Sequence, residues 1–299
     1  MLPQPLIRSD YVRGLLLVAG ATFFWSLSGV FTRFVPQVDP WTLNATRGLS
    51  MGIALLVWMC AVYRFETVTL FTASDPRALL IAGTFFAAGS SLYILALQWS
   101  SVAAASCIGT TSGMFAGLMA RVWLRERTPP VFYVGLVIAI VGVVLIATGE
   151  AGSSTPGSLA GVAVSLAYAL CFAGQSVALR RYSALRMEPA MVLAGFGIYF
   201  VVRFTVGLHP LQWGPMLLLL TMGVVQLAVP MVLYMRGARH VPAVQMVLIT
   251  MADAVLTPLW VWLVHGEVPG VSVFWGGAVI MLAIAVTTWP SLKAARAQV

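Results

Sequence analysis

Ten apolar runs, separated by short polar turns, make up almost all of this 299-residue chain. Each is long enough to cross the hydrocarbon core of a bilayer as a helix, which takes about 20 residues. The runs fall at 12–32, 41–63, 78–98, 101–121, 130–148, 157–179, 190–208, 213–235, 241–264 and 270–289. Turn chemistry divides them: Asp39-Pro40, Asp75-Pro76, Pro129-Pro130, the Gly152 to Gly157 stretch, Glu188-Pro189, His209-Pro210 and Pro269-Gly270. In hydrocarbon the backbone must satisfy its own hydrogen bonds, so the runs read as helices. The expected fold class is all-α integral membrane, with ten transmembrane helices. Connections this short make neighbouring helices antiparallel hairpins and leave no room for a soluble catalytic domain.

Composition agrees that lipid is the solvent. The chain is 60% hydrophobic and 9% charged, with mean hydropathy +0.95, against roughly 25% charged residues in soluble domains. The basic residues sort by loop. Arg8 and Arg13 precede the first run, Arg64 and Arg77 separate the second from the third, and Arg121, Arg125 and Arg127 follow the fourth. Arg180, Arg181 and Arg186 follow the sixth, Arg236 and Arg239 the eighth, and Lys293 and Arg296 the last. Fourteen of 17 basic residues thus fall on one side of the weave, the exceptions being Arg33, Arg47 and Arg203. Short basic loops stay cytoplasmic, which places both termini inside the cell. The net charge of +8 is spread over six small clusters, so it suits anionic lipid headgroups and not nucleic acid. Cys60, Cys107 and Cys171 read as small buried hydrophobes, since no His or second Cys stands near any of them. The first run is too long for a cleaved signal peptide and reads as a retained span.

An internal repeat divides the chain into residues 1–150 and 151–299. A shift of 141 residues lands Leu92-Tyr93 on Leu233-Tyr234, Leu118 on Leu259, Glu126 on Glu267 and Gly135 on Gly276. With a slightly longer shift Gly14 falls on Gly161 and Trp25 on Phe172, and Asp39-Pro40 falls on Glu188-Pro189. Each half holds five runs. Five is odd, so the second half enters the membrane from the opposite face, giving two inverted five-helix repeats, an architecture of secondary transporters.

Trp25-Ser26, the Pro40…Arg47 opening of the second run, and two copies of a Glu–Pro–glycine-helix pattern then carry a resemblance. Those copies are Glu126, Pro129, Gly135 and Gly142, then Glu267, Pro269 and Gly276. The chain resembles the drug/metabolite transporter superfamily in its ten-span EamA-type branch, and within it is most similar to the bacterial aromatic amino acid exporters. The resemblance spans essentially the whole chain. It implies export of amino acids, aromatic ones favoured, across the bacterial inner membrane. Two positions depart from the pattern: Phe196 stands where the first half has Arg47, and Gly174-Gln175 follows Phe172.

Several polar residues are candidates for substrate contact. Asp253 is the one acidic residue deep in a run, on a stripe with Thr250 and Thr257. A carboxylate at that depth costs about 2.5–3.5 kcal/mol on insertion scales, so it should face the bundle interior. It could couple protons, balance a substrate ammonium, or accept hydrogen bonds from a neighbouring helix. Arg47 could hold a substrate carboxylate through its planar fork, snorkel to an interface, or brace another helix. Ser165, Tyr168, Phe172 and Gln175 stripe the sixth run, and Trp25, Ser28 and Thr32 the first. Thr84, Ser91 and Gln98 stripe the third, and Ser106, Thr110 and Gly113 the fourth. Small hydroxylated residues also serve close helix packing in lipid, but stripes on five runs favour a shared cavity. Pro230 and Pro258 interrupt runs eight and nine, where freed carbonyls or a hinge are expected. Glu126 and Glu267 end runs four and nine, where capping or pairing with an interfacial Arg is expected.

No Walker loop, dinucleotide fingerprint, metal-ligand cluster or Ser/His/Asp set occurs. The expectation is therefore a secondary transporter and not an enzyme, with no cofactor and no metal. Its partners would be a small-molecule substrate and membrane lipid; lipid-facing and subunit-facing apolar surfaces look alike, so the sequence sets no oligomeric state. Amino acids lead as substrate, followed by another small metabolite or an organic cation.

Overall fold

The computed structural model describes residues 8–72, 74–125, 130–151, 158–182, 186–237, 240 and 249–296. These residues form helices and connections, with no strand among them. Eight helical stretches are long and apolar enough to cross a membrane. Run one is α1 (Arg8–Ser26) and α2 (Ser28–Phe34), run two α3 (Pro40–Tyr63) with a surface turn of helix α4 (Glu66–Thr72), and run three α5 (Pro76–Trp99). Run four is α6 (Val102–Gly109) and α7 (Ser112–Trp123), run five α8 (Pro130–Ala151), run six α9 (Ser158–Arg181) and run seven α10 (Glu188–Thr205). Run eight is α11 (Trp213–Met222), a π-helical segment Gly223–Ala228, and α12 (Val229–Gly237). Runs nine and ten contain α13 (Asp253–His265) and α14 (Val271–Arg296). Residues 241–248 of run nine, Glu126 to Pro129 and the Gly152 to Gly157 linker lie outside the described residues.

Helix starts follow their turn residues. Asp39 caps α3 by accepting the Thr42 N–H at 2.8 Å with Pro40 in the first turn. Asp75 does the same for α5 with Arg77 N–H at 2.9 Å and Pro76. A side-chain oxygen at that position satisfies a helix-end donor, and proline needs none there.

α8 packs along α14, α3 along α10, α5 along α9 and α1 along α12. Backbone approaches are close at the first two crossings. A Cβ on Gly195 would stand 2.6 Å from the Gly48 carbonyl, and one on Gly276 2.6 Å from that of Gly142. Only small residues allow such contact, which is how helices gain van der Waals energy where lipid removes the hydrophobic drive between them. The other side of α8, with Val134, Val137, Ile140 and Val144, is exposed, as a lipid-facing surface would be.

Four runs are broken near their middles. α1 stops at Ser26 and α2 begins after a turn at Leu27. α6 and α7 are separated by a turn at Thr110–Thr111, and another turn at Met251–Ala252 precedes α13. These last two breaks repeat the 141-residue interval bond for bond. The N–H groups of Thr111, Gly113 and Met114 reach Ile108, Thr110 and Thr111 carbonyls at 3.0, 3.3 and 2.9 Å. Those of Ala252, Ala254 and Val255 reach Ile249, Met251 and Ala252 carbonyls, each at 3.1 Å. In run four the cause is local: the Thr110 and Thr111 hydroxyls donate back to Cys107 and Ile108 carbonyls, each at 2.6 Å, competing with helical bonding.

The fourth break is the π segment. Pro230 has no N–H and its ring clashes with the carbonyl four residues back, that of Gln226. The chain accommodates it by widening the preceding turn, the Val229 N–H bonding Val224 O.

Two sequence expectations are corrected. Cys60 is exposed and not buried, while Cys107 and Cys171 are partly buried; all three are free thiols. Thr84 is exposed, so its stripe with Ser91 does not continue into the interior.

Candidate functional site

Arg47 lies in the middle of the bundle and is 1% exposed. It does not snorkel. Its Nη1 donates to Gln226 Oε1 at 3.1 Å, and its Nη2 donates to Ser90 Oγ at 2.6 Å and Asn44 Oδ1 at 3.1 Å. Asn44 lies one turn earlier on the same helical face, and its Nδ2 donates to Ser91 Oγ at 2.8 Å. Ser90 Oγ in turn donates to Asn44 Oδ1 at 3.0 Å. The widened turn before Pro230 presents Gln226 to this network. Gly223 lets that turn approach α3, since a Cβ there would stand 2.3 Å from Arg47 O. Among the described residues all the partners are neutral, and the guanidinium Nε has none. A buried cation without a counter-ion among the described residues is costly in lipid, which makes Arg47 a candidate for function.

Asp253 carries the opposite charge. It is the first residue of α13, where unpaired helix N–H groups favour an anion, and its Oδ1 accepts from Thr257 Oγ1 at 2.9 Å. Among the described residues it has no cationic partner. It keeps some accessible surface although Thr257 beside it is fully buried.

Two tyrosines lie close to both charges. Tyr93 of α5 and Tyr168 of α9 have ring centroids 4.9 Å apart, and both lie within electrostatic reach of Asp253 and of Arg47. Phe172 continues the aromatic row at 6.1 Å from Tyr168. The Tyr93 hydroxyl is hydrogen-bonded to Ser28 Oγ. Tyr168 fills the space beside Gly109, next to the break in run four.

Of the residues singled out in the sequence, Ser28 and Tyr168 touch Tyr93, Arg47 and Asp253 lie within its electrostatic reach, and Ser91 and Thr257 join the cluster through Asn44 and Asp253. Thr110 is partly buried at the run-four break, and Thr250 is half-buried just before the break in run nine. Trp25 lies against Tyr234 of α12, the ring centroids 5.2 Å apart and the planes tilted by 53°. Gln175 turns to α10, its Nε2 3.6 Å from Met191 Sδ, and Ser165 bonds within its own helix to Gly161 O at 2.7 Å.

Asn44, Ser90, Tyr93 and Gln226 were not legible as members of the cluster. Asn44 carried a signal, standing three residues before Arg47, and Gln226 stood four before a mid-run proline. Tyr93 was visible only as a landmark of the repeat. Glu267 pairs with Arg33, Nε to Oε2 at 2.8 Å and Nη2 to Oε1 at 3.2 Å.

Comparison with known proteins follows the same outline. The model of the EamA-like transporter family matches residues 12–148 and again 155–289. The pseudopaline exporter CntI from two strains of Pseudomonas aeruginosa is 30% identical over 279 residues, 90% of this chain and 94% of that protein. A solved crystal structure superposes with TM-score 0.67 at 19% identity, covering 94% of this chain and 98% of the other, so it shares the fold.

Proposed function

Because this chain belongs to the EamA-like transporter family, a family of multi-pass membrane transporters, we propose that it exports small zwitterionic metabolites by alternating access, amino acids with aromatic side chains foremost. The observation that carries this reading is the placement of Tyr93 and Tyr168 within reach of both the buried Arg47 and the partly buried Asp253, neither of which has a counter-ion among the described residues. A carboxylate supplied by a solute suits the guanidinium, an ammonium suits Asp253, and an apolar ring suits the tyrosine row. Thr110 and Thr250, at the two breaks, and Trp25 and Gln175 line the route on this reading.

The working architecture is ten spans in two inverted halves, residues 1–150 and 151–299, with both termini in the cytoplasm and the chain in the bacterial inner membrane. The twofold match of the family model supports it, as do the paired breaks at Thr110–Thr111 and Met251–Ala252. Helix contacts add support: exchanging each run with the one five places on turns the α5–α9 pair into α12–α1 and returns α3–α10 and α8–α14 to themselves. Discontinuous helices around a midplane site are the usual means by which secondary transporters bind solutes.

A second reading rests on the relatives named for pseudopaline export: the cargo is that compound or one of its kind. Counterflow from proteoliposomes tests both. Phenylalanine and tryptophan are expected to exchange and to compete with one another. If neither moves and pseudopaline does, the second reading replaces the first.

A further inference from the structure

The seven residues of α2 join the rest of run one only through the turn at Leu27, where regular helical bonding lapses: the Leu27 N–H reaches Phe24 O at a long 3.4 Å. This short helix is nonetheless held along its whole length. At its inner end Ser28 bonds the Tyr93 hydroxyl, while across the turn the end of α1 is fixed by the Trp260 indole N–H, which donates to Ser26 Oγ at 3.0 Å. One residue further on, Gly29 is seated without room for a side chain, since a Cβ would stand 2.6 Å from Val102 and 2.8 Å from Val261. At its far end the Arg33 fork grips Glu267 through two bonds, and His265 lies against Phe34 at 4.7 Å with its Nε2 3.2 Å from Val30 O. Gly266, at φ +71°, ends α13 in the left-handed conformation, and Glu267 follows it directly.

We propose that α2 is a hinged plug over the Tyr93–Tyr168 cluster and that the Arg33–Glu267 ion pair is the latch that keeps it shut. This rests on the alternating-access reading above. The two side chains keep 29% and 33% of their surface exposed, so water screens the pair and it biases the plug without locking it. Coupling to the solute runs through Ser28. A solute that takes over the Tyr93 hydroxyl frees the inner end of α2, leaving Gly29's seat, the His265 contacts and the latch. Of these, the latch is the one ion pair, and its partial exposure makes it reversible.

The test measures access to the seat of the plug. In protein whose three native cysteines are replaced by alanine, Val261→Cys, at a position 1% exposed beneath Gly29, reports opening by its labelling rate with a water-soluble thiol reagent in nanodiscs. Ala190→Cys, at a fully buried position between α5 and α10, reports general loosening. Neutralising the latch with R33Q or E267Q is expected to raise labelling at 261 about threefold, in keeping with a partly exposed ion pair, and to leave 190 unchanged. The exchange R33E/E267R is expected to restore the original rate. No change at 261, a parallel rise at both positions, or an exchange that does not restore the rate would each overturn the latch. The readout needs no transported solute. Wild-type vesicles that move nothing would end the exporter reading and leave the labelling result standing.

Discussion

Arg47 of α3 donates to Gln226 of the π segment at 3.1 Å, a hydrogen bond between residues 179 positions apart in the chain. It ties run two to run eight at the depth where the bundle is most polar. On the proposed division into halves it also crosses from one to the other.

Removing that acceptor leaves a second guanidinium nitrogen, Nη1, unpaired beside Nε in a fully buried setting. Gln226→Leu is expected to lower stability by about 2 kcal/mol, the range for hydrogen bonds to charged groups. Denaturant titration in mixed micelles reads the loss. A change below about 0.5 kcal/mol would mean Gln226 does not support Arg47.

The widened turn owes its existence to Pro230. Pro230→Ala lets the helix close to regular spacing, which turns Gln226 away from Arg47. Transport is expected to fall by about tenfold, the equivalent of one charged hydrogen bond, while circular dichroism keeps the same helix content. Unchanged transport with the alanine in place would detach the π segment from function.

Asp253→Asn keeps the hydrogen bond from Thr257 within reach but removes the charge. Export of a zwitterion is expected to drop at least about tenfold, and any stimulation by a pH gradient should vanish with it. Flux measured with and without the gradient, in wild type and variant, separates the outcomes. Four equal fluxes would take Asp253 out of the mechanism.

Outside the membrane, Asp39 has an acid-side signature. Burial pushes its carboxyl up, but hydrogen bonds from Thr42 and Trp41 and the His209 ring 3.5 Å away outweigh this and hold it below the usual 3.8. A lowered folded-state value stabilises the protein above pH 3.8, and that contribution is lost as pH falls through the lower value. Wild type should therefore lose melting temperature more steeply than Asp39→Asn in strongly acid buffer, a comparison thermal scans at stepped pH can make.

Much of this architecture is written locally. Asp39-Pro40 and Asp75-Pro76 start helices where expected, and the 141-residue interval reappears in the backbone as two identical sets of tight turns. Asp253 and Thr257 share a face because helical spacing requires it. Arg47's partners could not be read in the same way, because Gln226 arrives through a bulge and a chain reversal far along the sequence. Thr84 and Ser91 share a stripe, yet one is exposed and the other bonds Asn44. In lipid an outward face and a packed face are both apolar, so periodicity alone does not distinguish them. Cys60 misleads for the same reason.

One consequence concerns the bilayer itself. α10 has 18 residues and α3, crossing it at Gly48 and Gly195, has 24; at 1.5 Å per residue they run about 27 and 36 Å. Two rods of such different length, bound at a common crossing, meet the bilayer unequally. The longer leans, reaches into the headgroups or draws the leaflets around it, so acyl-chain length is expected to bear on how tightly this crossing is held.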